Sequence, residues 1–391
     1  MSELHVAIDG ACWWNDRGFG RFTREIITAL AARTEGIRYS MVLEHEAPAG
    51  SPLPAPPSAL QLVTAGTRPM ADATAGSGAR SISHMLRMGR ALGALRADVV
   101  FFPAIYSWVP VHPSRPSVVT VHDAIPERFP RLVFPRRRNE WLWRLKSGAA
   151  RRKAARVLTV SQASADQLVE VLGVRRERID VTSEAADPVF TPRVVAHGDL
   201  LQPFGLPSRP FFLYVGGFNA HKNVPLLLEA FAAVPGEPCL VLVGDTSGEG
   251  FHDDVPALRR WLGDRPDVAR RVALPGWLPD DELVSLYSAA TALVMPSLAE
   301  GFGLPAIEAM ACGCPVICSD RTSLPEVVGS AGLLVDPTDK AALAAAMARV
   351  LNEVGLTERM SSDGVRRAAT FTWDRAAAMA ETSLRRASES S

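Results

Sequence analysis

Short apolar runs, each followed by a segment of helical spacing, recur along this 391-residue chain and restrict its fold more than any other feature. In the second half they are Phe211–Val215, Cys239–Val243, Val272–Leu274, Ala292–Met295 and Pro315–Ile317. Runs that are apolar at every position bury both faces, which is the pattern of parallel strands covered by helices. In the first half, residues 4–10 end at a glycine ahead of helical spacing over 21–33. Further runs near 98–102, 117–121 and 156–160 follow, and a helix from 162 stops at Gly173. Around 188–210 the pattern dissolves into Pro188, Pro192, Pro203, Pro207 and Pro210, the composition of an interdomain linker. The expected architecture is α/β, with two Rossmann-like doubly wound domains facing across a cleft, residues 1–195 and 205–370. Open parallel sheets bind ligands beyond the carboxyl ends of their strands, so the active site is expected there. Residues 47–80, with Pro48, Pro52, Pro54, Pro56 and Pro57, read as a long mobile loop.

Forty-two basic side chains balance 42 acidic ones, which disfavours a general nucleic-acid binder held by a basic surface. No apolar run approaches the roughly 20 residues that span a bilayer, and the first residues lack the pattern of a signal peptide, so a cytosolic location is expected. Five cysteines, an odd number in a long chain, fit reduced thiols. Cys312, Cys314 and Cys318 lack the second ligand pair of a zinc knuckle and read as small buried apolar residues.

The most informative stretch is Pro296-Ser-Leu-Ala-Glu-Gly-Phe-Gly-Leu-Pro-Ala-Ile-Glu-Ala-Met-Ala-Cys-Gly-Cys-Pro315. Gly301 and Gly303 lead from a strand end into a helix whose first turn tolerates Pro305. Such a helix end presents unpaired amides and partial positive charge, suited to a diphosphate. Glu300 and Glu308 bracket it; carboxylates beside a diphosphate are better placed to accept hydrogen bonds from sugar and ribose hydroxyls.

This stretch resembles the Glu-x7-Glu signature of retaining glycosyltransferases of family 4, which have the GT-B fold. The likeness extends to Tyr214-Val-Gly-Gly-Phe-Asn-Ala-His-Lys-Asn223, to Gly276-Trp-Leu-Pro-Asp-Asp-Glu-Leu283 and to Leu286-Tyr-Ser-Ala-Ala290. It also covers Asp16-Arg-Gly-Phe-Gly-Arg21, Val121-His-Asp123, Val160-Ser161 and Phe371-Thr-Trp373, the last resembling the start of a helix, here 371–390, that crosses back to the first domain. The resemblance implies that Lys222 neutralises the donor diphosphate, that Glu300 binds donor-sugar hydroxyls and that Glu308 holds the ribose. It further implies that Gly301, Phe302, Gly303 and Leu304 line sugar and phosphate and that backbone around Trp277 and Leu278 meets the base. Gly18, Phe19 and Gly20 would approach the diphosphate from the other domain, and His122 would sit beside the transferred sugar.

Many relatives carry arginines where this chain has Gly217 and His221, which leaves His221, the Gly18–Gly20 amides, the helix end or Arg21 to balance the second negative charge. No Asp-x-Asp occurs, so neither a metal nor another cofactor is expected. In the family a front-face substitution keeps the anomeric configuration, with the departing phosphate helping to deprotonate the acceptor.

Between Arg128 and Arg156 basic residues crowd around one acid, Glu140. Stepping 100° per residue puts Trp141, Leu145 and Ala149 on one face with Phe134, expected to be the core face. Arg136, Trp143, Arg144 and Arg151 fall on the other, expected to meet an anionic membrane surface or an acceptor. The sequence therefore reads as a cytosolic or membrane-peripheral glycosyltransferase moving a hexose from a nucleotide sugar to a glycan or lipid-linked acceptor in surface-polysaccharide assembly. The Lys222-Asn223 turn and Ser323-Leu-Pro-Glu-Val327 resemble mannosyltransferases and point to GDP-mannose. The rivals are a nucleotide-sugar epimerase of the same fold and a non-catalytic sugar-binding module. A dehydrogenase is weaker, because Gly18-Phe-Gly-Arg-Phe-Thr23 lacks the third glycine of the dinucleotide fingerprint.

Overall fold

A computed structural model describes residues 3–15, 18–46, 60–66, 82–112, 115–134, 136–195, 200–246 and 254–389. The chain forms two compact units. The first comprises Met1–Pro130, Phe134–Glu184 and Thr372–Ser391, and the second Arg131–Val133 and Ala185–Phe371. The division therefore falls at Glu184, ahead of the expected boundary at 195, and the proline-rich stretch belongs to the second unit. Within it, residues 196–199 lie outside the described residues.

The first unit is built on a parallel seven-stranded sheet. Its strands are β1 (Leu4–Asp9), β2 (Ile37–Leu43), β3 (Leu60–Thr64), β4 (Val99–Phe102), β5 (Ser117–Thr120), β6 (Arg156–Thr159) and β7 (Ile179–Val181), in the order β3-β2-β1-β4-β5-β6-β7. Its longer helices are α1 (Gly18–Ala31), α2 (Ile82–Ala94), α3 (Arg137–Lys153), α4 (Gln162–Glu170) and, from the far end of the chain, a C-terminal helix (Trp373–Ser388). Most of the expected loop 47–80 lies outside the described residues, but residues 60–64 form edge strand β3.

The second unit repeats the topology with β8 (Phe211–Val215), β9 (Cys239–Val243), β10 (Val272–Gly276), β11 (Ala292–Met295), β12 (Val316–Ser319) and β13 (Leu333–Val335), ordered β10-β9-β8-β11-β12-β13. Its longer helices are α5 (Val224–Ala232), α6 (Val255–Gly263), α7 (Asp280–Ala289), α8 (Leu304–Ala311), α9 (Lys340–Asn352) and α10 (Leu356–Ala368), so the C-terminal helix is α11. Phe212, Tyr214, Leu240, Leu242 and Ile317 on one sheet face pack with Leu227, Leu228 and Phe231 of α5 and Leu343 and Met347 of α9. Each such buried side chain contributes about 1.5–3 kcal/mol of apolar transfer. In both sheets the order reverses beside the first strand, between β1 and β4 and between β8 and β11. Loops leaving these neighbours diverge and open a crevice at the strand ends.

Helix α11 belongs to the first unit, which takes up the chain again at Thr372. Its buried Ala376, Ala377 and Ala380 permit close approach to α1, and Arg33, just past the end of α1, binds Glu381 at 3.0 Å and Asp374 at 2.9 Å. Thr182 Oγ1 donates to the Ala376 carbonyl at 2.9 Å, and the Thr372 hydroxyl caps the helix start by accepting from Arg375 N. All five cysteines are free and buried, and for Cys312, Cys314 and Cys318 this agrees with their reading as small apolar residues. Among the described residues no helix is long and apolar enough to cross a membrane.

One local correction concerns the expected glycine loop before a helix at 21. Asp16 and Arg17 lie outside the described residues, and Gly18 and Gly20 already belong to the first turn of α1. Gly20 is required by contact. A methyl group there would sit 1.9 Å from the Asn15 carbonyl oxygen, and Arg24 Nη1 ties the same loop by donating to Trp13 O and Asn15 O. Gly20→Ala should therefore destabilise the protein by about 1–3 kcal/mol despite alanine's higher helix propensity. Gly93→Ala in α2, where added bulk meets nothing within 4 Å, should stabilise by about 0.5–1 kcal/mol. Urea unfolding of the two variants checks the opposite signs.

Candidate active site

The expected site residues divide between the units, and the second unit gathers most of them. The turn after β8 passes through Gly216 and Gly217 to a short 3-10 segment, Ala220–Lys222, and ends at Asn223 in the left-handed region, φ +60°. Asn223 Nδ2 donates to the carbonyls of Pro296 (3.1 Å) and Pro337 (2.8 Å), so one side chain ties the loops that follow β8, β11 and β13. Leu298 N donates to the His221 carbonyl at 2.8 Å. These bonds bring Lys222 against the loop after β11, where its ammonium reaches both carboxylate oxygens of Glu300, at 2.8 and 2.9 Å.

Glu300 is buried and held on every side. Ser297 Oγ donates to Oε1 at 2.7 Å, its own backbone N–H donates to Thr322 Oγ1 at 2.9 Å, and Ser323 Oγ donates to the carbonyls of Glu300 and Phe302. Burial alone would raise its pKa, but the Lys222 ammonium and the Ser297 hydroxyl outweigh that and hold the carboxyl below its ordinary value. The loop enters α8 through Gly303, left-handed at φ +109°, where an added methyl would also meet Leu324 Cδ2 at 2.7 Å. With Pro305 inside the first turn, the end of α8 leaves backbone amides unused by the helix. Glu308, a turn further on, is buried and accepts from Tyr287 Oη of α7 at 3.2 Å. Trp277, which is exposed, and Leu278, which is buried, follow the end of β10.

Ser297, Thr322, Ser323, Asn223 and Tyr287 complete this arrangement without having been assigned roles from the sequence. Asn223 and Tyr287 fall inside recognisable motifs. Thr322 carried no signal at all, because its role rests on a φ of +53° that spacing does not encode. A β-branched residue in that region is strained by about 1–3 kcal/mol and is retained where its side chain is needed.

In the first unit His122 follows β5, its ring edge-on to Phe22 of α1 at 4.9 Å, and neither ring nitrogen has a partner among the described residues. Burial pushes its pKa down to about 4. Phe19 stacks on Tyr106 at 5.0 Å, and Tyr106 in turn on Trp143 at 5.1 Å, so the Phe19 side chain is packing and only its backbone faces the assigned role.

Two expectations need correction. His221 is not a standing cation in the unliganded protein, because burial, followed by the Lys222 charge, lowers its pKa to about 4 and leaves it neutral near pH 7. On α3 the faces are exchanged at Trp143, Arg151, Trp141 and Leu145, while Ala149 packs against the core as expected. Trp143 packs against the core and donates to Glu127 Oε1 at 2.9 Å, and Arg151, largely covered, meets the same carboxylate at 3.5 Å. Trp141 and Leu145, expected inward, are exposed. Glu127 lies just before the counted basic stretch, and its demand for buried donors turns the helix. Arg136 is exposed, and Arg144, also exposed, pairs with Glu140 at 2.9 Å.

Two parallel sheets of doubly wound order, with the charged pair at the switch point of the second, define two Rossmann-like domains of the GT-B type. Residues 17–189 match the family described as Glycosyltransferase Family 4, and residues 209–353 match Glycosyl transferases group 1. The chain is thus similar to two glycosyltransferase domain families, in that order along its length. It is 37% identical over 220 residues to the O-antigen chain mannosyltransferase B of Escherichia coli, a match covering 56% of this chain and 57% of that relative. The chain thus spans little more than half of that relative's length. In fold it resembles sucrose-phosphate synthase from Thermosynechococcus elongatus (TM-score 0.76, 22% identity, covering 99% of this chain and 100% of the other). It also resembles Anabaena HepE in complex with UDP and glucose (TM-score 0.73, 20% identity, 97% and 99%).

Two predictions follow from this geometry. Thr322→Val keeps the shape but removes the acceptor of Glu300 N–H, so urea unfolding should show a loss of about 1–3 kcal/mol. The second concerns acid. His122 and His221 have folded pKa values near 4 against an ordinary value of 6.5, so the unfolded chain takes up their protons first. Stability is full above pH 6.5 and falls as pH drops toward 4. At pH 4.5 each imidazole should cost roughly 2–3 kcal/mol relative to pH 7. His122→Gln should lose less stability than the parent over that interval in paired urea titrations.

Proposed function

We propose that this chain is a retaining glycosyltransferase that moves a hexose, with mannose from GDP-mannose the preferred reading, to a glycan or lipid-linked acceptor in surface-polysaccharide assembly. The observation that carries the proposal is the Lys222–Glu300 pair beside the α8 end at the β8/β11 switch point. An ammonium has three N–H donors, and two on Glu300 leave one for a phosphate oxygen. The amides at Gly303 and Leu304 offer further donors and the positive end of the helix dipole. Glu300, ionised and rigidly held, accepts from sugar hydroxyls, and Glu308 from the ribose. The identity to an O-antigen mannosyltransferase supports the sugar and the process, and the family likeness supports retention. The cytoplasm, where nucleotide sugars are made, is the location this reading implies.

In the reaction the bond from the anomeric carbon to the diphosphate oxygen breaks while the acceptor oxygen bonds on the same face, and the acceptor proton passes to the departing phosphate. Negative charge grows on the diphosphate, where Lys222 and the α8 amides are already oriented, so their stabilisation is larger in the transition state than before it. The neutral His122, whose ring nitrogens have no partner among the described residues, suits a hydrogen bond to the transferred sugar. No Asp-x-Asp is present to hold a metal across the diphosphate, and the proposal assigns that charge to Lys222 and the helix end.

A thermal-shift panel of GDP, UDP, ADP and dTDP, followed by their sugars, tests the donor; stabilisation by GDP and transfer from GDP-mannose are expected, and a response to another base alone would move the assignment. Turnover should survive excess EDTA, and loss of activity restored by manganese would contradict the metal-free reading. Lys222→Ala should weaken nucleoside diphosphate binding by about 1.5–3 kcal/mol. Glu300→Gln should slow transfer without weakening diphosphate binding, and calorimetry with initial rates separates the two effects.

A further inference from the structure

The outward face of α3 is apolar and cationic together. Trp141 is 61% exposed, Leu145 48% and Leu142 39%, and no other helix among the described residues shows three large apolar side chains so exposed within two turns. At 100° per residue these three share a face with Arg137, Arg138 and Arg152, all exposed, and Arg144 stands at its edge. The inward face is built the other way round. Trp143 Nε1, Ser147 Oγ and Arg151 Nη1 converge on Glu127 Oε1, and Lys146 Nζ donates to the Tyr106 carbonyl at 2.6 Å. A helix that anchors its polar groups inside and presents tryptophan and leucine outside is arranged for a second apolar phase, not for water.

We infer that the Trp141/Leu142/Leu145 face of α3, framed by Arg137, Arg138 and Arg152, docks on an anionic lipid surface. Charge complementarity selects this occupant. A second copy of the chain would bring the same arginines against each other, whereas anionic headgroups neutralise them while the indole and leucines enter the headgroup boundary. Trp141 suits that depth, with an apolar ring and a polar N–H. The inference stands apart from donor identity, but it favours a lipid-linked acceptor over a soluble one.

The test is sedimentation of the full chain with phosphatidylcholine vesicles carrying about 30% phosphatidylglycerol, in about 50 mM salt, without donor. The protein should pellet with these vesicles and not with pure phosphatidylcholine, and binding should fall at least about tenfold in 0.5 M salt, where screening is nearly complete. The Trp141→Ser/Leu145→Ser double variant and the Arg137→Gln/Arg138→Gln/Arg152→Gln triple variant should each weaken binding by about tenfold or more. Both should keep the parent melting temperature and its thermal shift with nucleoside diphosphate, since these side chains face outward. Failure of the parent to pellet, or undiminished binding by the double variant, overturns the inference. Concentration-dependent dimers abolished by the double variant, with no vesicle binding, would assign the face to a second copy instead. A normal nucleotide shift in a protein that ignores vesicles would remove the lipid surface while leaving the donor site intact.

Discussion

The Lys222–Glu300 ion pair is the contact around which the second domain's loops are organised. A carboxylate as buried as Glu300 is costly unless a cation and hydrogen-bond donors surround it, and removing one partner of such a pair typically costs about 3–5 kcal/mol. Here the surroundings are elaborate. Asn223 holds the lysine turn to two neighbouring loops, Ser297 shares the carboxylate, and Thr322 and Ser323 secure the backbone on either side. Much of that bonding lies between loops leaving different strands, so the order of the sheet is a condition for the pair. Buried apolar strands β8, β11 and β12 set the loop origins, and the polar groups fix the loops to within a hydrogen bond of one another.

The pair also explains a division of labour. Lys222 near Glu300 is a poised cation, neither free in solvent nor fully neutralised, and the α8 end adds donors that need no reorganisation when charge develops. Glu300, acceptor-only while ionised, suits hydroxyls and repels phosphate, which in the proposed reaction would separate the sugar from the diphosphate along one short loop. His221 beside them is neutral, so the unliganded site carries one full positive charge from that turn.

The strand runs were legible because every position in them is apolar and both faces are buried, as in Cys239–Val243. Four other strands were not. Ile37–Leu43 is interrupted by Arg38 and Ser40, Leu60–Thr64 lies in proline-rich sequence with its outward side chains exposed, and Ile179–Val181 and Leu333–Val335 are only three residues long. The Glu300–Glu308 spacing was legible because glycines and prolines punctuate the helix start, and Lys222 was singled out only through the family resemblance of its turn. Thr322 and Ser323 were not, because they act through a left-handed backbone and a loop from another strand. The faces of α3 were assigned in reverse for a related reason. Hydrophobic periodicity presumes that apolar residues turn inward, and a single buried acid outside the helix, Glu127, reversed the preference by binding Trp143, Ser147 and Arg151.

If Lys222 and the α8 end together receive the outer phosphate, the advantage of a nucleoside diphosphate over its monophosphate should depend on that lysine. Calorimetric titration of the preferred nucleoside as mono- and diphosphate, in the parent and in Lys222→Ala, measures this directly. The account predicts that the parent prefers the diphosphate by roughly tenfold or more, and that most of the preference disappears in the variant. An undiminished diphosphate preference in Lys222→Ala would contradict it and would leave the Lys222–Glu300 pair as a structural clamp alone.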